Sequence, residues 1–189
     1  MMGAMGRWQG GASERLRDAA LGLFLTQGYD GTTVAEIAAA ADLTERTFFR
    51  HFADKREVLF VDGDEFERVF LGGLPDQADD PMTLIVGALD GAAGLFPEER
   101  RPWSRARQSV IAANHALQER ELLKMSSLAV ALTRALTARG VDAASAALAA
   151  ETGVTVFRTS FALWVAEGER RTFKEIQNAV LARLQALLA

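Results

Sequence analysis

The 189-residue chain has no cysteine and only two histidines. Without cysteine it can form no disulfide bond and offers no thiolate nucleophile, so nothing indicates an oxidising compartment. The sequence also lacks an apolar run of about 20 residues, the length that a membrane-spanning helix requires. Residues 1–11 do not follow the charged-then-apolar pattern of a secretion signal. These absences predict a cytoplasmic protein that does not associate with a membrane.

The chain has few of the residue patterns that catalysis needs. We find no Gly-x-Ser-x-Gly elbow, no phosphate-binding Walker loop and no His-x-x-x-His metal pair. The acidic pairs at 79–80 and 98–99 stand beside prolines and are typical of solvated segments. We therefore expect neither an enzyme nor a cofactor or metal site.

The formal net charge of −4 argues against general nucleic-acid binding, which favours a basic surface. The segment 44–56 differs, since it carries four cations and two acidic residues, 4 − 2 = +2. Phosphate attraction acts locally under salt screening, so a small basic patch is compatible with binding at specific DNA sites. The cations of this segment are Arg46, Arg50, Lys55 and Arg56.

The spacing of apolar residues predicts helices throughout and no sheet, which makes this an all-α chain. Helix one begins at Ser13 and ends before Gly28. Helix two begins at Thr33, a turn covers 41–43, and helix three begins at Thr44. Further helices are predicted at 54–71, 82–96, 102–118, 119–139, 142–167 and 172–188. The predicted organisation is a flexible arm (1–12), a three-helix DNA-binding domain (13–60) and a helical effector-binding and dimerisation domain (61–189).

The segment 33–55, TVAEIAAAADLTERTFFRHFADK, has the pattern of a helix-turn-helix. On its second helix Phe48 and Phe52 lie one turn apart and predict the buried side. Arg46 and Arg50 then face nearly the opposite way. Arginine pairs with guanine, and threonine contacts a thymine methyl or a phosphate. From spacing alone, the alternative is a pair of helices whose charged face is merely solvated.

Residues 16–59 resemble the DNA-binding domain of the tetracycline-repressor (TetR) family. The resemblance lies in Gly28, the pairs 32–33 (TT) and 37–38 (IA), the block 44–52 (TERTFFRHF), and then Lys55 and Leu59.

Two positions depart from the family pattern. Asp42 stands where the family usually has glycine, and aspartate tolerates a positive φ better than most residues. Phe49 stands where the family often has tyrosine, so we expect an apolar contact there without the phosphate bond.

The resemblance implies a homodimer that reads a near-palindromic double-stranded DNA operator. It further implies a repressor that a small, largely apolar effector releases. A helical protein–protein adaptor without DNA binding is the alternative. The DNA contacts that we expect are Thr33, Thr44, Arg46, Thr47, Phe49, Arg50, His51 and Lys55.

The last two helices carry more apolar surface than one subunit needs, which favours a four-helix interface between two copies. A single internal core is the alternative. The predicted interface residues are Phe173, Ile176, Val180, Leu184 and Leu187.

The resemblance also implies an effector pocket in the second domain. The stretch 101–124 is faintly similar to regulators of fatty acyl-CoA thioesters, so the effector is expected to be an acyl thioester or another lipophilic compound. Plain core packing for the aromatic residues and a solvated surface for the polar ones remain the alternatives. The candidate pocket residues are Phe96, Trp103, Arg107, Asn114, His115, Phe157, Phe161 and Trp164, with Arg105 as a further polar candidate.

Overall fold

The computed structural model describes residues 11–61, 63–78 and 80–188, and within these ranges it contains helices and no strand. The all-α prediction is therefore confirmed. The chain divides into two compact units, and the first ends at Val61, one residue after the predicted boundary. Most of the predicted arm, residues 1–10, lies outside the described residues. None of the helices in the described ranges is long and apolar enough to cross a membrane.

Over residues 11–61, the part of the first unit that the structure describes, there are three α-helices and a short 3-10 turn. These are α1 (Ala12–Gln27), α2 (Val34–Ala40), α3 (Glu45–His51) and the turn Arg56–Leu59. Helix α1 ends at Gly28, whose φ of +79° and ψ of 160° suit only glycine. The core of the unit is built from Leu16, Ala20, Phe24, Ile37, Phe48, Val58 and Leu59, each at most 3% exposed.

The predicted helix at 54–71 is interrupted. Asp54 accepts hydrogen bonds from the backbone of Arg56 and Glu57 and so begins only a 3-10 turn. Phe60 then adopts an extended conformation with its side chain buried. Since an extended residue cannot continue a helix, the next helix starts separately, at Gly63.

The second unit contains six helices in its described ranges. They are α4 (Gly63–Gly72), α5 (Pro81–Ala93), α6 (Arg101–Ala112), α7 (His115–Thr137), α8 (Ala143–Trp164) and α9 (Phe173–Leu188). Helix α8 packs against α5, α7 and α9, which makes it the central helix of this unit. The hydrophobic core of the second unit includes Ile85, Leu89, Leu128, Leu132, Leu136, Trp164, Phe173 and Ile176.

The predicted boundary between helices at 118–119 is wrong, because the helical conformation is interrupted at Ala113 and Asn114 instead. Asn114 is extended, and its side chain accepts a hydrogen bond from the backbone N–H of Leu117. This is the geometry of an N-cap, so α7 begins at His115.

Helices α4 and α5 meet at a crossing that only glycines allow. A Cβ added to Gly87 would lie 2.6 Å from the backbone oxygen of Gly73 and 2.6 Å from Cδ of Pro75. A Cβ on Gly91 would lie 2.9 Å from Cα of Gly73. Because real Cβ atoms essentially never come within 3.0 Å of another atom, the two backbones are in direct contact here. We call Gly73, Gly87 and Gly91 the glycine crossing.

Candidate DNA-binding surface

Helix α2 begins with a capping box, and its N-cap is Thr33, where the sequence predicts the start of this helix. The Thr33 hydroxyl accepts from the backbone of Glu36 at 3.2 Å, and the Glu36 carboxylate accepts from the backbone of Thr33 at 2.7 Å. The carboxylate accepts bonds from the backbone N–H and from the hydroxyl of Thr33, and these two, the backbone one first, lower the pKa of Glu36. Each partner satisfies an N–H group that the first turn of a helix would leave unpaired. The start of α2 is thereby fixed.

The turn between α2 and α3 depends on a left-handed residue. Asp42 has φ of +55°. Its N–H donates to the Ala39 carbonyl at 3.0 Å, and the N–H of Leu43 donates to Ala38 at 2.9 Å. The prediction that aspartate can replace glycine in this turn is confirmed.

Helix α3 is anchored from behind by aromatic rings. Phe48 and Phe52 are 0% and 6% exposed, with ring centroids 5.2 Å apart. Arg46 and Arg50 are exposed, so the predicted orientation of this helix is confirmed. With seven residues, α3 presents about two turns to the outside.

Phe49 stands beside the two arginines and is 55% exposed. Its ring meets that of Phe48 edge-on, with the centroids 5.5 Å apart. A large apolar side chain on an exposed face can bury that area only against a partner. The outer side of α3 therefore combines two cations with one apolar ring.

The remaining predicted contacts lie around α3 in different settings. Thr33, Thr44 and His51 are exposed and Thr47 is partly exposed. The Thr44 side chain caps α3 by accepting from the backbone of Thr47, and the two hydroxyls are 3.0 Å apart. Hydroxyls that already join helix caps can still accept or donate one further bond.

Two of the four cations of the predicted basic patch are engaged within the unit. Arg56 forms an ion pair with Asp54 at 2.7 Å, and this hydrogen-bonded guanidinium lowers the pKa of the Asp54 carboxyl. Lys55 is turned inward and partly buried. The exposed cations on α3 are accordingly Arg46 and Arg50.

Lys55, an expected phosphate contact, makes contacts inside the unit in this structure. The Lys55 Nζ donates to the carbonyl of Tyr29 at 2.6 Å and to that of Thr32 at 2.8 Å. It also lies 4.1 Å from the centroid of the Tyr29 ring. No local pattern indicates these contacts, because both partners lie more than 20 residues earlier in the chain.

Four of the eight candidate pocket residues come together in the second unit. Phe96 stacks on Phe173 with centroids 4.5 Å apart, and it lies 5.6 Å from Phe157 and from Phe161. Trp164 completes the group at 5.7 Å from Phe96. We call these five residues the aromatic cluster.

The other four pocket candidates are engaged elsewhere. Trp103 stacks with the guanidinium of Arg100, and Arg107 pairs with Glu121 at 3.2 Å. Asn114 caps α7, and His115 is exposed, with Glu119 at 3.7 Å. Each of the four side chains therefore has a local partner. The predicted roles in a pocket, apolar wall for Trp103 and polar anchor for the other three, stay predictions.

Two arginines of α6 have a role that sequence reasoning missed. Arg101 donates to the carbonyls of Glu169 and Arg171. Arg105 donates to Val165 at 2.7 Å and to Ala166 at 2.9 Å. The Arg105 bonds satisfy carbonyls directly after α8 ends, which a helix terminus otherwise leaves unpaired, and the Arg101 bonds satisfy carbonyls of the loop that leads to α9. We call Arg101 and Arg105 the arginine clamp.

The predicted dimer residues divide between interior and surface. Phe173 and Ile176 are at most 1% exposed and belong to the core of the second unit, so they offer no surface to a second copy. Val180 and Leu184 are partly buried, and Leu187 is 77% exposed. The predicted interface thus combines residues from the buried side of α9 with residues from its exposed edge, because both carry apolar side chains.

Comparison with known proteins identifies the first unit most clearly. The family described as bacterial regulatory proteins, tetR family, matches residues 16–60. The HTH-type transcriptional regulator TcmR of Streptomyces glaucescens is 40% identical over 83 residues. That match covers 43% of this chain and 37% of TcmR, so the chain aligns with little more than a third of this relative.

Solved structures match the fold over most of the chain. SmeT, the repressor of a multidrug efflux pump of Stenotrophomonas maltophilia, has a TM-score of 0.54 and 23% identity, and the match covers 93% of this chain and 89% of SmeT. NalD, a secondary repressor of an efflux pump in Pseudomonas aeruginosa, has a TM-score of 0.56 and 15% identity, with coverage of 93% and 95%. At these identities the likeness concerns the fold alone.

Proposed function

We propose that the chain is a cytoplasmic transcriptional regulator of the tetR family, whose description matches residues 16–60, and that it binds double-stranded operator DNA through the outer side of α3. One observation carries the proposal. Arg46, Phe49 and Arg50 are exposed together on a helix that Phe48 and Phe52 hold from behind. An α-helix fits the major groove, where arginine can donate two bonds to guanine and an apolar ring can contact a thymine methyl.

The alternative is a helical adaptor without DNA binding. Composition alone does not separate the two functions, because interfaces between proteins are also enriched in arginine and aromatic residues. The match of residues 16–60 to bacterial regulatory proteins favours DNA binding.

Fluorescence anisotropy with duplexes from the DNA flanking the gene tests the proposal. We expect saturable binding whose affinity falls steeply with salt, because each phosphate contact releases counterions. Arg50→Ala should weaken binding, whereas Arg134→Ala, which removes the same charge from an exposed position on α7, should not. If no duplex binds at low salt, the proposal fails and the adaptor is favoured.

We further propose that two copies bind together, through the exposed sides of α8 and α9. Leu163 is 41% and Leu187 77% exposed, and Ala162, Ala182 and Ala186 are exposed on the same two helices. Small apolar residues allow helices of two subunits to approach closely, and a twofold interface is self-complementary. Sedimentation should give a dimer that Ala182→Asp dissociates, and a monomeric wild type would contradict this arrangement.

For the effector we propose a small lipophilic compound, with acyl thioesters as the first class to test. The support is the aromatic cluster, which brings five large apolar side chains together in the second unit. An effector acts only through its different affinities for two states of the protein. A ligand that raises the melting temperature and also lowers DNA affinity would qualify. If no acyl thioester does either, that class is excluded.

A further inference from the structure

The Lys55 ammonium makes three contacts inside the first unit. It donates to the carbonyls of Tyr29 and Thr32, at 2.6 and 2.8 Å. The Tyr29 ring lies 4.1 Å from Nζ, well inside the roughly 6 Å of a cation–π contact. A phosphate would compete with these contacts for the same ammonium.

These contacts connect the start of α2 with the chain after α3, two ends of the helix-turn-helix that the turn itself does not connect. The turn at Asp42 connects the end of α2 to the start of α3. Thr32 directly precedes the cap of α2, and Lys55 follows α3 by four residues. Lys55 therefore links the start of α2 to the chain leaving α3.

The loop that Lys55 holds is itself ordered by local contacts. Thr32 is 1% exposed, and its hydroxyl donates to the carbonyl of Gly28 at 2.7 Å. The Tyr29 ring packs on Phe24, with centroids 5.2 Å apart. The ammonium therefore binds a loop that is itself held in place by contacts to the end of α1.

We propose that Lys55 is a positioning residue for DNA binding, whose ammonium fixes the spacing of α2 and α3 and contacts no phosphate. We call Lys55, Tyr29 and Thr32 the lysine clasp. The inference rests on the proposed function, because it assumes that both helices must meet one duplex together. Loss of the clasp frees the start of α2, where Thr33 forms the capping box, and lets the two helices shift relative to each other.

The test compares Lys55→Met with Arg56→Met in the full chain. Both variants remove one positive charge from neighbouring positions, but Arg56 is exposed and pairs only locally, with Asp54. In free Lys55→Met we expect faster amide exchange over residues 28–34, and in Arg56→Met none. We also expect Lys55→Met to bind DNA roughly 2- to 30-fold more weakly than Arg56→Met, the range known for mutations that act through coupled elements.

The salt dependence separates positioning from phosphate contact. A lost phosphate contact lowers the slope of log affinity against log salt by about 0.9 per subunit. The clasp predicts equal slopes for Lys55→Met and Arg56→Met. A slope lower by about that amount in Lys55→Met alone, with amide exchange unchanged, would overturn the proposal. So would a lower melting temperature with unchanged affinity at temperatures where the protein is folded, since that indicates a purely structural role.

Tyr29→Leu provides a second route if Lys55→Met folds poorly. It keeps the lysine charge and removes the ring, so the clasp predicts weaker binding with an unchanged slope. Direct phosphate contact instead predicts unchanged affinity. If the wild type binds no duplex, the proposed function fails, and amide exchange in the free variants alone decides whether Lys55 holds these two ends together.

Discussion

Substitution of Gly87 by alanine should destabilise the second unit, although alanine normally favours a helix. The added Cβ would lie 2.6 Å from the Gly73 carbonyl oxygen and from the Pro75 ring, about 0.8 Å closer than ordinary contact allows. One neighbour is backbone and the other a closed ring, so neither can rotate away.

The expected magnitude is the difference between two effects. Overpacking of a tight site costs about 1–3 kcal/mol, and the rigid neighbours favour the upper part of that range. Alanine contributes roughly 1 kcal/mol of helix propensity in return. We expect Gly87→Ala to lower the free energy of unfolding by about 1–2 kcal/mol.

Gly72→Ala is the matched control, since a Cβ there meets nothing within 4 Å. Gly72 is the last residue of α4, so this variant should be neutral or more stable by up to about 1 kcal/mol. Urea unfolding followed by tryptophan fluorescence measures both variants. Trp103 and Trp164 report on the second unit, and a Trp8→Phe background removes the remaining tryptophan.

A change in the urea midpoint at constant m-value would mean that stability itself has changed. If Gly87→Ala proves as stable as Gly72→Ala, the backbones do not approach each other as described, and the reasoning from the glycine crossing is wrong.

Three further predictions concern other parts of the chain. Arg46→Ala should relax base preference by about 1–3 kcal/mol at one position of each operator half-site, measured with single-base operator variants; an unchanged preference would mean that α3 faces the groove differently. Replacing a contacted thymine by deoxyuridine should cost the wild type about 0.8 kcal/mol, one methyl group, and should cost Phe49→Ala nothing; equal losses in both proteins would exclude a contact between this ring and a thymine methyl. The pKa of Glu169 is lowered from 4.5 to about 2, first by the hydrogen bond from Arg171. Its contribution to stability is therefore present above pH 4.5 and is lost as the pH falls toward 2, and Glu169→Gln should flatten that part of the acid unfolding curve; an identical curve would refute the assignment.

The features of the first unit that could be predicted from sequence are those that local spacing determines. Thr33 and Glu36 stand three residues apart, and this alone specifies a capping box. Phe48 and Phe52 lie one turn apart, which orients α3 and exposes Arg46. Each inference depends on residues within one or two helical turns, where the geometry of the chain is known in advance.

The features that the sequence did not reveal depend on contacts between distant segments. Lys55 follows an exposed basic stretch, and nothing local indicates that it binds carbonyls at Tyr29 and Thr32. Helix α9 is apolar on more than one side, so periodicity could not tell the buried Ile176 from the exposed Leu187. The pocket role predicted for Asn114 has a local alternative, because asparagine between two helical patterns is also a typical cap.

The arginine clamp makes α6 and the chain leading into α9 move as one piece. Arg101 and Arg105 stand four residues apart on one face of α6, yet the carbonyls that they bind lie some sixty to seventy residues later. Each such bond from a charged donor contributes about 1.5–3 kcal/mol. Arginine keeps its charge throughout the physiological pH range, so no change of acidity loosens this connection. A displacement of α6 must therefore carry residues 165–171 with it, so it acts at once on the end of α8 and on the chain that leads into α9.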